Sequence, residues 1–303
     1  MSLQAINITK KYGKQKALNS VSFEIKTGEI VGFLGPNGAG KSTMMKIITG
    51  YIHQNSGDVK VNGINTKDDI KSIKKQIGYL PEHNPLYLDM YVKEYLNFVA
   101  KVYELKGNIK SKVSDVIEIT GLSVEKNKKI GALSKGYRQR TGLAAALIHD
   151  PAVLILDEPT TGLDPNQIIE IRDLITKVGK EKTVMLSTHI MQEVEAICNR
   201  VIIINKGEIV AENSVSKIQE MSLQKKQAIT VEFLNEVKVS SLMQIQDVEN
   251  IIPLENNNFI LETSTDKDIR ENIFNFAVKN HLILLSMFKK DKSMEDIFRE
   301  LTN

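Results

Sequence analysis

Residues 32–46 read GFLGPNGAGKSTMMK, and within them Gly35, Gly40, Lys41 and Ser42 fit the spacing G-x-x-x-x-G-K-[ST]. A turn so poor in side chains can join a strand tightly to a helix, or it can let a phosphate approach the backbone. An apolar run precedes it and a helix-compatible run follows, which is the setting a phosphate cradle needs. Successive N–H groups then point inward, and the helix adds the equivalent of about +0.5 charge at its first turn. In this reading Gly35, Pro36, Asn37, Gly38, Ala39 and Gly40 form the cradle, and Lys41 neutralises the β- and γ-phosphates of a nucleotide. Ser42 offers its hydroxyl to Mg2+, and Thr43 donates to a phosphate oxygen.

A magnesium ion at such a cradle needs a second protein ligand, and VLILDEP at 153–159 offers Asp157 and Glu158 at the end of an apolar run. Neighbouring residues on a strand point to opposite sides, so the two carboxylates need not share a task. Asp157 then serves the metal shell, while Glu158 polarises a water aimed at the γ-phosphate. On its own the pair reads better as a strand ending at solvent, and it is the phosphate cradle that turns it toward function. The stretch LSKGYRQRTGLAAALIHDP at 133–151 reads as a helix with Ser134 as its N-cap.

These residues require elements that hold them. AINITKKYG, ALNSVSFEIKTGEIVGFLG and GDVKVNGIN alternate as short strands joined by Gly and Asn turns. From PLYLDMYVKEYLNFVAKVYELKG to about residue 125 apolar positions recur at helical spacing, so a helical subdomain is expected over about 85–150. PAVLILDEP, KTVMLSTH and RVIIINKGEIV are short, nearly all-apolar runs, the pattern of strands buried on both faces of a parallel sheet. The polar stretch 213–227 marks a boundary, giving domains 1–218 and 219–303. Beyond it AITVEF and NFILET alternate as strands. Ile269, Ile273 and Phe276, and then Met294, Ile297, Phe298 and Leu301, fall on single helix faces, which makes the second domain α+β.

Composition narrows the partners. The 303 residues are 42% hydrophobic, enough for one large domain and a small one. A net charge of +3 gives no global field that would select nucleic acid. The single cysteine, Cys198, suits a reducing compartment and a core position. No secretory start and no apolar window of about 18 residues is visible, so a cytoplasmic protein without its own membrane span is expected.

The segment at 133–151 resembles the signature sequence of the ATP-binding cassette (ABC) family, at the family's spacing after the phosphate loop. Further elements follow the same order: Tyr12 before the first glycine turn, YLPEHNP at 79–85, TTGLDP at 160–165, and His189 closing TVMLSTH. The resemblance covers about residues 3–215. It implies an α/β ABC ATPase fold with a P-loop RecA-like core, an antiparallel β subdomain and a helical subdomain, followed by the small α+β domain. It also implies ATP and Mg2+ as ligands, and a dimer of two copies or of related subunits. Each nucleotide would lie between one copy's P-loop and the other copy's Ser134, Gly136 and helix start. Asp164 would sit on the dimer seam, His189 would touch the γ-phosphate or order Glu158, and Tyr12 would stack on adenine. Glu82 stands where the family commonly has a glutamine that contacts Mg2+. Lys135 and Tyr137 also depart from the usual signature.

At a finer level, VGFLGPNGAGKSTMMKIITGYI, IGYLPEHNPLYLDMYVKEYL and LSKGYRQR resemble the ATPase subunits of bacterial drug- and polysaccharide-type exporters, in particular the gliding-motility-associated GldA type. SMEDIFRELT resembles their accessory domain. The implied partners are integral membrane subunits, with the chain peripheral on the inner face of the membrane. Other readings fit less well. A translation-type protein would carry two cassettes, and a chromosome-maintenance ATPase would need a coiled coil in the 93 residues from Lys41 to Ser134 (134 minus 41). A GTPase would need N-K-x-D, whereas NKGE at 205–208 reads as a hairpin turn. A regulator that binds ATP without hydrolysing it stays open, since Glu82 and the altered signature could slow turnover.

Overall fold

The first 65 residues form β1 (Leu3–Tyr12), β2 (Gln15–Ile25), β3 (Ile30–Leu34), helix α1 (Lys41–Ile48), β4 (Ser56–Val61) and β5 (Ile64–Asn65). β2, β1, β4 and β5, in that order, make an antiparallel sheet. β3 leaves it, being buried at all five positions, a pattern that only a strand covered on both faces allows. The computed structural model describes residues 2–218, 227–263 and 268–290, with Glu295, Phe298 and Thr302 besides. The chain divides into one compact unit running to Val215 and including Thr302, and a second covering Ser216–Leu301 with Asn303.

The first unit continues with α2 (Ile70–Gln76), β6 (Ile77–Leu80), α3 (Val92–Val102), α4 (Ile109–Ile119), α5 (Lys135–Leu147), β7 (Val153–Asp157), α6 (Pro165–Gly179), β8 (Thr183–Thr188), α7 (Met191–Ile197), β9 (Arg200–Asn205) and β10 (Glu208–Ser214). Its larger sheet has the order β10-β9-β3-β8-β7-β6. All neighbours run parallel except β10, which returns from β9 through Lys206 and Gly207, both at positive φ as a two-residue hairpin requires. Register pairs Leu34 with Thr188, Asp157 with Ser187 and Leu80 with Leu156. Four strands therefore end at one level, and the loops that follow them open on one edge, where ligands bind in sheets of this kind.

The helical segment, α3 to α5, stands beside this edge. α5 begins at Ser134, whose hydroxyl oxygen accepts the Tyr137 N–H at 3.4 Å. The loop after β6 is fixed to α5 where Asn84 Nδ2 donates to the Arg138 carbonyl at 3.4 Å, and its side chain fills the space a Cβ at Gly142 would take.

In the second unit β11 (Gln227–Phe233), β12 (Asn250–Pro253), β13 (Asn258–Thr263) and β14 (Leu284–Lys290) form an antiparallel sheet of order β12-β13-β11-β14, with helices α8 (Val239–Leu242) and α9 (Arg270–Lys279). The alternation places Ile229, Val231, Phe233, Phe259 and Leu261 in a core with Ile269 and Ile273, and Phe276 packs on its edge. Met294, Ile297 and Leu301 lie outside the described residues.

Two titratable groups of the first unit, Cys198 and His149, are withdrawn from water to different degrees. Cys198 packs beneath Gly32, and burial pushes its thiol up. His149, just beyond α5, stacks on Tyr103 with ring centroids 3.9 Å apart, and its Nε2 donates to the Ile77 carbonyl at 3.0 Å. Nδ1 is buried without a partner among the described residues. Burial lowers the imidazole from 6.5 to about 4. The unfolded chain therefore binds a proton below 6.5 that the folded chain refuses until about 4, so stability present above 6.5 is lost as pH falls. We expect about 2 kcal/mol of this loss between pH 7 and pH 5. Urea denaturation at the two pH values should show it, and His149→Gln should flatten the dependence.

Candidate active site

Two positions of the turn between β3 and α1 leave no room for a side chain. A Cβ on Gly35 would lie 2.4 Å from the Ile204 carbonyl oxygen. Gly40, at φ 113°, would press one against the Ala17 carbonyl at 2.6 Å. Gly40 is also the N-cap of α1 and has no side chain to offer, so the first N–H groups of the helix face the cleft without a side-chain cap. Lys41 turns back over the loop: its buried Nζ donates to the carbonyls of Gly35 at 2.7 Å and Pro36 at 3.4 Å.

Asp157 and Glu158 diverge, though not by strand alternation. β7 ends at Asp157, and Glu158 lies beyond it at φ 51°, a left-handed conformation costing a non-glycine residue about 1–3 kcal/mol. The Glu158 N–H secures the turn by reaching both the carbonyl and the hydroxyl oxygen of Ser187 at 3.2 Å. Asp157, 2% exposed, accepts hydroxyl bonds from Ser42 at 3.2 Å and from Ser187. Glu158 turns the other way, with Oε1 3.6 Å from Lys41 Nζ. Its Oε2 meets His189 Nδ1 at 2.9 Å and the Thr161 hydroxyl at 3.2 Å.

A cleft of about 580 Å³ opens over these groups, a size suited to a small ligand. Tyr12, Asn37, Gly38, Gly40, Lys41, Ser42, Thr43, Glu82, Glu158 and His189 line it, so most of the residues named from sequence meet at one place. Gly35, Pro36 and Ala39 frame the turn from below, and Asp157 lies under Ser42. Tyr12 is half-exposed at the rim with Lys10 Nζ 5.2 Å from its ring centroid. Gln15, Ala17 and Thr161 also line the cleft, and Ser187 supports it. None of these was named from sequence, and Ser187 stands level with Asp157 only through the register of β7 with β8.

Ser134, Gly136 and Asp164 lie elsewhere, around a second cavity of about 300 Å³ that shares no lining residue with the first. Asp164 caps α6, accepting the Gln167 N–H at 3.0 Å, and the Gln167 side chain packs against Gly136 with no room for a Cβ. Within one copy, then, the signature helix does not reach the phosphate cradle.

Mg2+ fits the oxygen set at the cleft. Ser42 and Asp157 already share a hydrogen bond, and Glu82 adds a carboxylate at the wall. Among the described residues no three His, Cys, Asp or Glu stand close enough to hold a metal alone, so the ion would complete its shell with phosphate oxygens and water.

Comparison with known proteins agrees with this geometry. The family model described as ABC transporter matches residues 18–161. The linearmycin resistance ATP-binding protein LnrL of Bacillus subtilis is 35% identical over 99% of this chain and 98% of its own, so the likeness runs through both units. The bacitracin transport ATP-binding protein BcrA of Bacillus licheniformis is 39% identical over 69% of each chain. The solved dimer of the ATP-binding cassette MJ0796 bound to ADP and Pi has 28% identity and a TM-score of 0.64, covering 70% of this chain and 98% of that one. The six-stranded sheet, the helical segment and the antiparallel sheet are those of an ABC ATPase. Identity sustained along nearly the whole chain makes this protein a member of the ABC transporter family, on its ATP-binding side.

Proposed function

We propose that the chain is the ATP-hydrolysing subunit of an ABC exporter, working as a dimer around two ATP molecules on the cytoplasmic side of separate membrane subunits. The observation that carries this is the position of Glu158, buried at the cleft floor between Lys41 and His189 while its neighbour Asp157 is bound to Ser42. The α1 N–H groups and Lys41 hold the phosphates, Tyr12 packs on the base, and Thr43 donates to a phosphate oxygen. Ser42 and Asp157, with Glu82 nearby, would hold Mg2+, which would supply neutralising charge at the phosphate oxygens. Glu158 orients the attacking water and takes up its proton, and His189 keeps the Glu158 carboxylate turned toward the phosphates. Hydrolysis by the purified chain that requires Mg2+ tests this, against a regulator that only binds.

The second cavity supports the dimer. The Ser134 oxygen accepts from Tyr137 N–H, which leaves its hydroxyl hydrogen free, and the start of α5 adds N–H donors for an anion on a facing copy. Ser134→Arg should leave ATP affinity of the monomer unchanged and abolish ATP-dependent dimerisation of a Glu158→Gln background. Size-exclusion chromatography with and without ATP reads the outcome, and an equal loss of monomer affinity would reject a site shared between copies.

The seat proposed for the membrane partner is the stretch after β6. Tyr87, Leu88, Tyr91 and Phe98 are exposed near the loop after β6, with the Tyr87 ring packed on Tyr95 and Phe98. The relatives named for linearmycin resistance and bacitracin transport favour export. That the partners belong to a gliding-motility system rests on the sequence resemblance alone, and identifying the membrane proteins that co-purify with the chain tests it.

A further inference from the structure

Glu193 follows His189 by four residues, on the first turn of α7, and is 2% exposed. The described residues offer it no cation; instead each of its oxygens accepts one hydroxyl. Oε1 takes that of Thr160, two residues after Glu158, and Oε2 takes that of Thr188, the residue before His189, at 2.7 Å. The Thr188 oxygen also accepts the Ile190 N–H at 3.0 Å, so the bend that carries His189 is closed from both sides.

We propose that Glu193 is a positioning residue for hydrolysis: its buried carboxylate clamps the loop that carries Glu158 to the loop that carries His189. A buried charge without a counter-ion is costly, and an apolar side chain would fill this site more cheaply if packing were its only duty. Only a carboxylate accepts from both hydroxyls at once, since the NH2 of an amide cannot accept. Glu158 keeps its left-handed backbone because both its flanks are tied. Its own N–H is held by Ser187, and the chain two residues on is held by Glu193 through Thr160. Loosening the second tie would let the Glu158 carboxylate and the His189 ring drift from their 2.9 Å contact, although Glu193 does not itself line the cleft. Misplacement of this kind lowers the chemical step and spares binding.

The proposal rests on the reading of Glu158 as the group that aligns water, and the experiment separates the two. Steady-state ATP hydrolysis and thermal midpoint are measured on the full chain for wild type, Glu193→Gln, Thr160→Val, Glu158→Gln and the double variant Glu158→Gln/Glu193→Gln. Glu193→Gln should lower kcat about ten-fold with KM for ATP within about two-fold, and Thr160→Val should lower kcat about three-fold. The double variant should be no slower than Glu158→Gln alone, because a clamp has nothing left to position. A wild-type kcat in Glu193→Gln, a loss that tracks a raised KM and a fallen midpoint, or a further loss in the double variant would each overturn the clamp. If Glu193→Gln does not fold, Thr160→Val decides, and an unchanged kcat there refutes the proposal. Wild-type turnover in Glu158→Gln sinks the underlying reading of the base, whatever Glu193→Gln does.

Discussion

Glu158→Gln should hold ATP as firmly as wild type and turn it over about 10²- to 10⁴-fold more slowly, the contribution of a positioned general base. The substitution keeps volume, and a Gln carbonyl can still accept from Thr161, so the loop need not move. What is lost is the negative charge between Lys41 and His189, and with it the capacity to take the proton of the attacking water. Because binding survives and hydrolysis stalls, the variant should accumulate as a dimer with trapped nucleotide. Single-turnover measurement with radiolabelled ATP and size-exclusion chromatography check the two halves separately. Turnover equal to wild type would mean that another group activates the water.

Lys41→Ala should abolish ATP binding at ordinary concentrations, weakening affinity by at least about 100-fold, since charge-assisted hydrogen bonds to phosphate are each worth about 1.5–3 kcal/mol. Lys41 is also stacked into the turn, with its ammonium bonded to two carbonyls and facing Glu158. Removing it leaves a buried carboxylate with only His189 and Thr161 as partners, so Ala should also cost stability. Lys41→Met separates the effects. It restores the alkyl stem and part of the packing, yet should bind ATP no better. Calorimetric titration beside a thermal melt distinguishes loss of the ligand contact from loss of the fold.

Much of this site was legible in the amino-acid sequence because it depends on local pattern. Gly35, Gly40, Lys41 and Ser42 follow a spacing in which two glycines leave no room for a Cβ, and Ser134 caps its helix with its own oxygen. The apolar runs of β3, β7 and β8 are buried at every position because both faces of that sheet are covered. What could not be read depends on chain segments far apart in sequence. Glu193 looks like any charge on a short helix, and only folding brings Thr160 and Thr188 to its two oxygens. His149 loses its solvent because Tyr103 and Ile77 arrive from elsewhere. That Asp157 and Glu158 diverge was readable, but the cause is a left-handed turn and not the pleat, and no residue type at 158 advertises that φ. In the second unit, alternation in β11 and β13 sufficed, since an antiparallel sheet with one covered face writes its register into every second residue.

The common level at which β3, β6, β7 and β8 stop has a consequence for how such a protein can diversify. Each functional loop is rooted in its own strand, so one can be lengthened or recoloured while its neighbours keep their anchorage. The segment after β6, with its exposed aromatics, can be rewritten without disturbing the phosphate turn, which is rooted in a strand three places away. One phosphate turn can thus stay constant while the loops around it change.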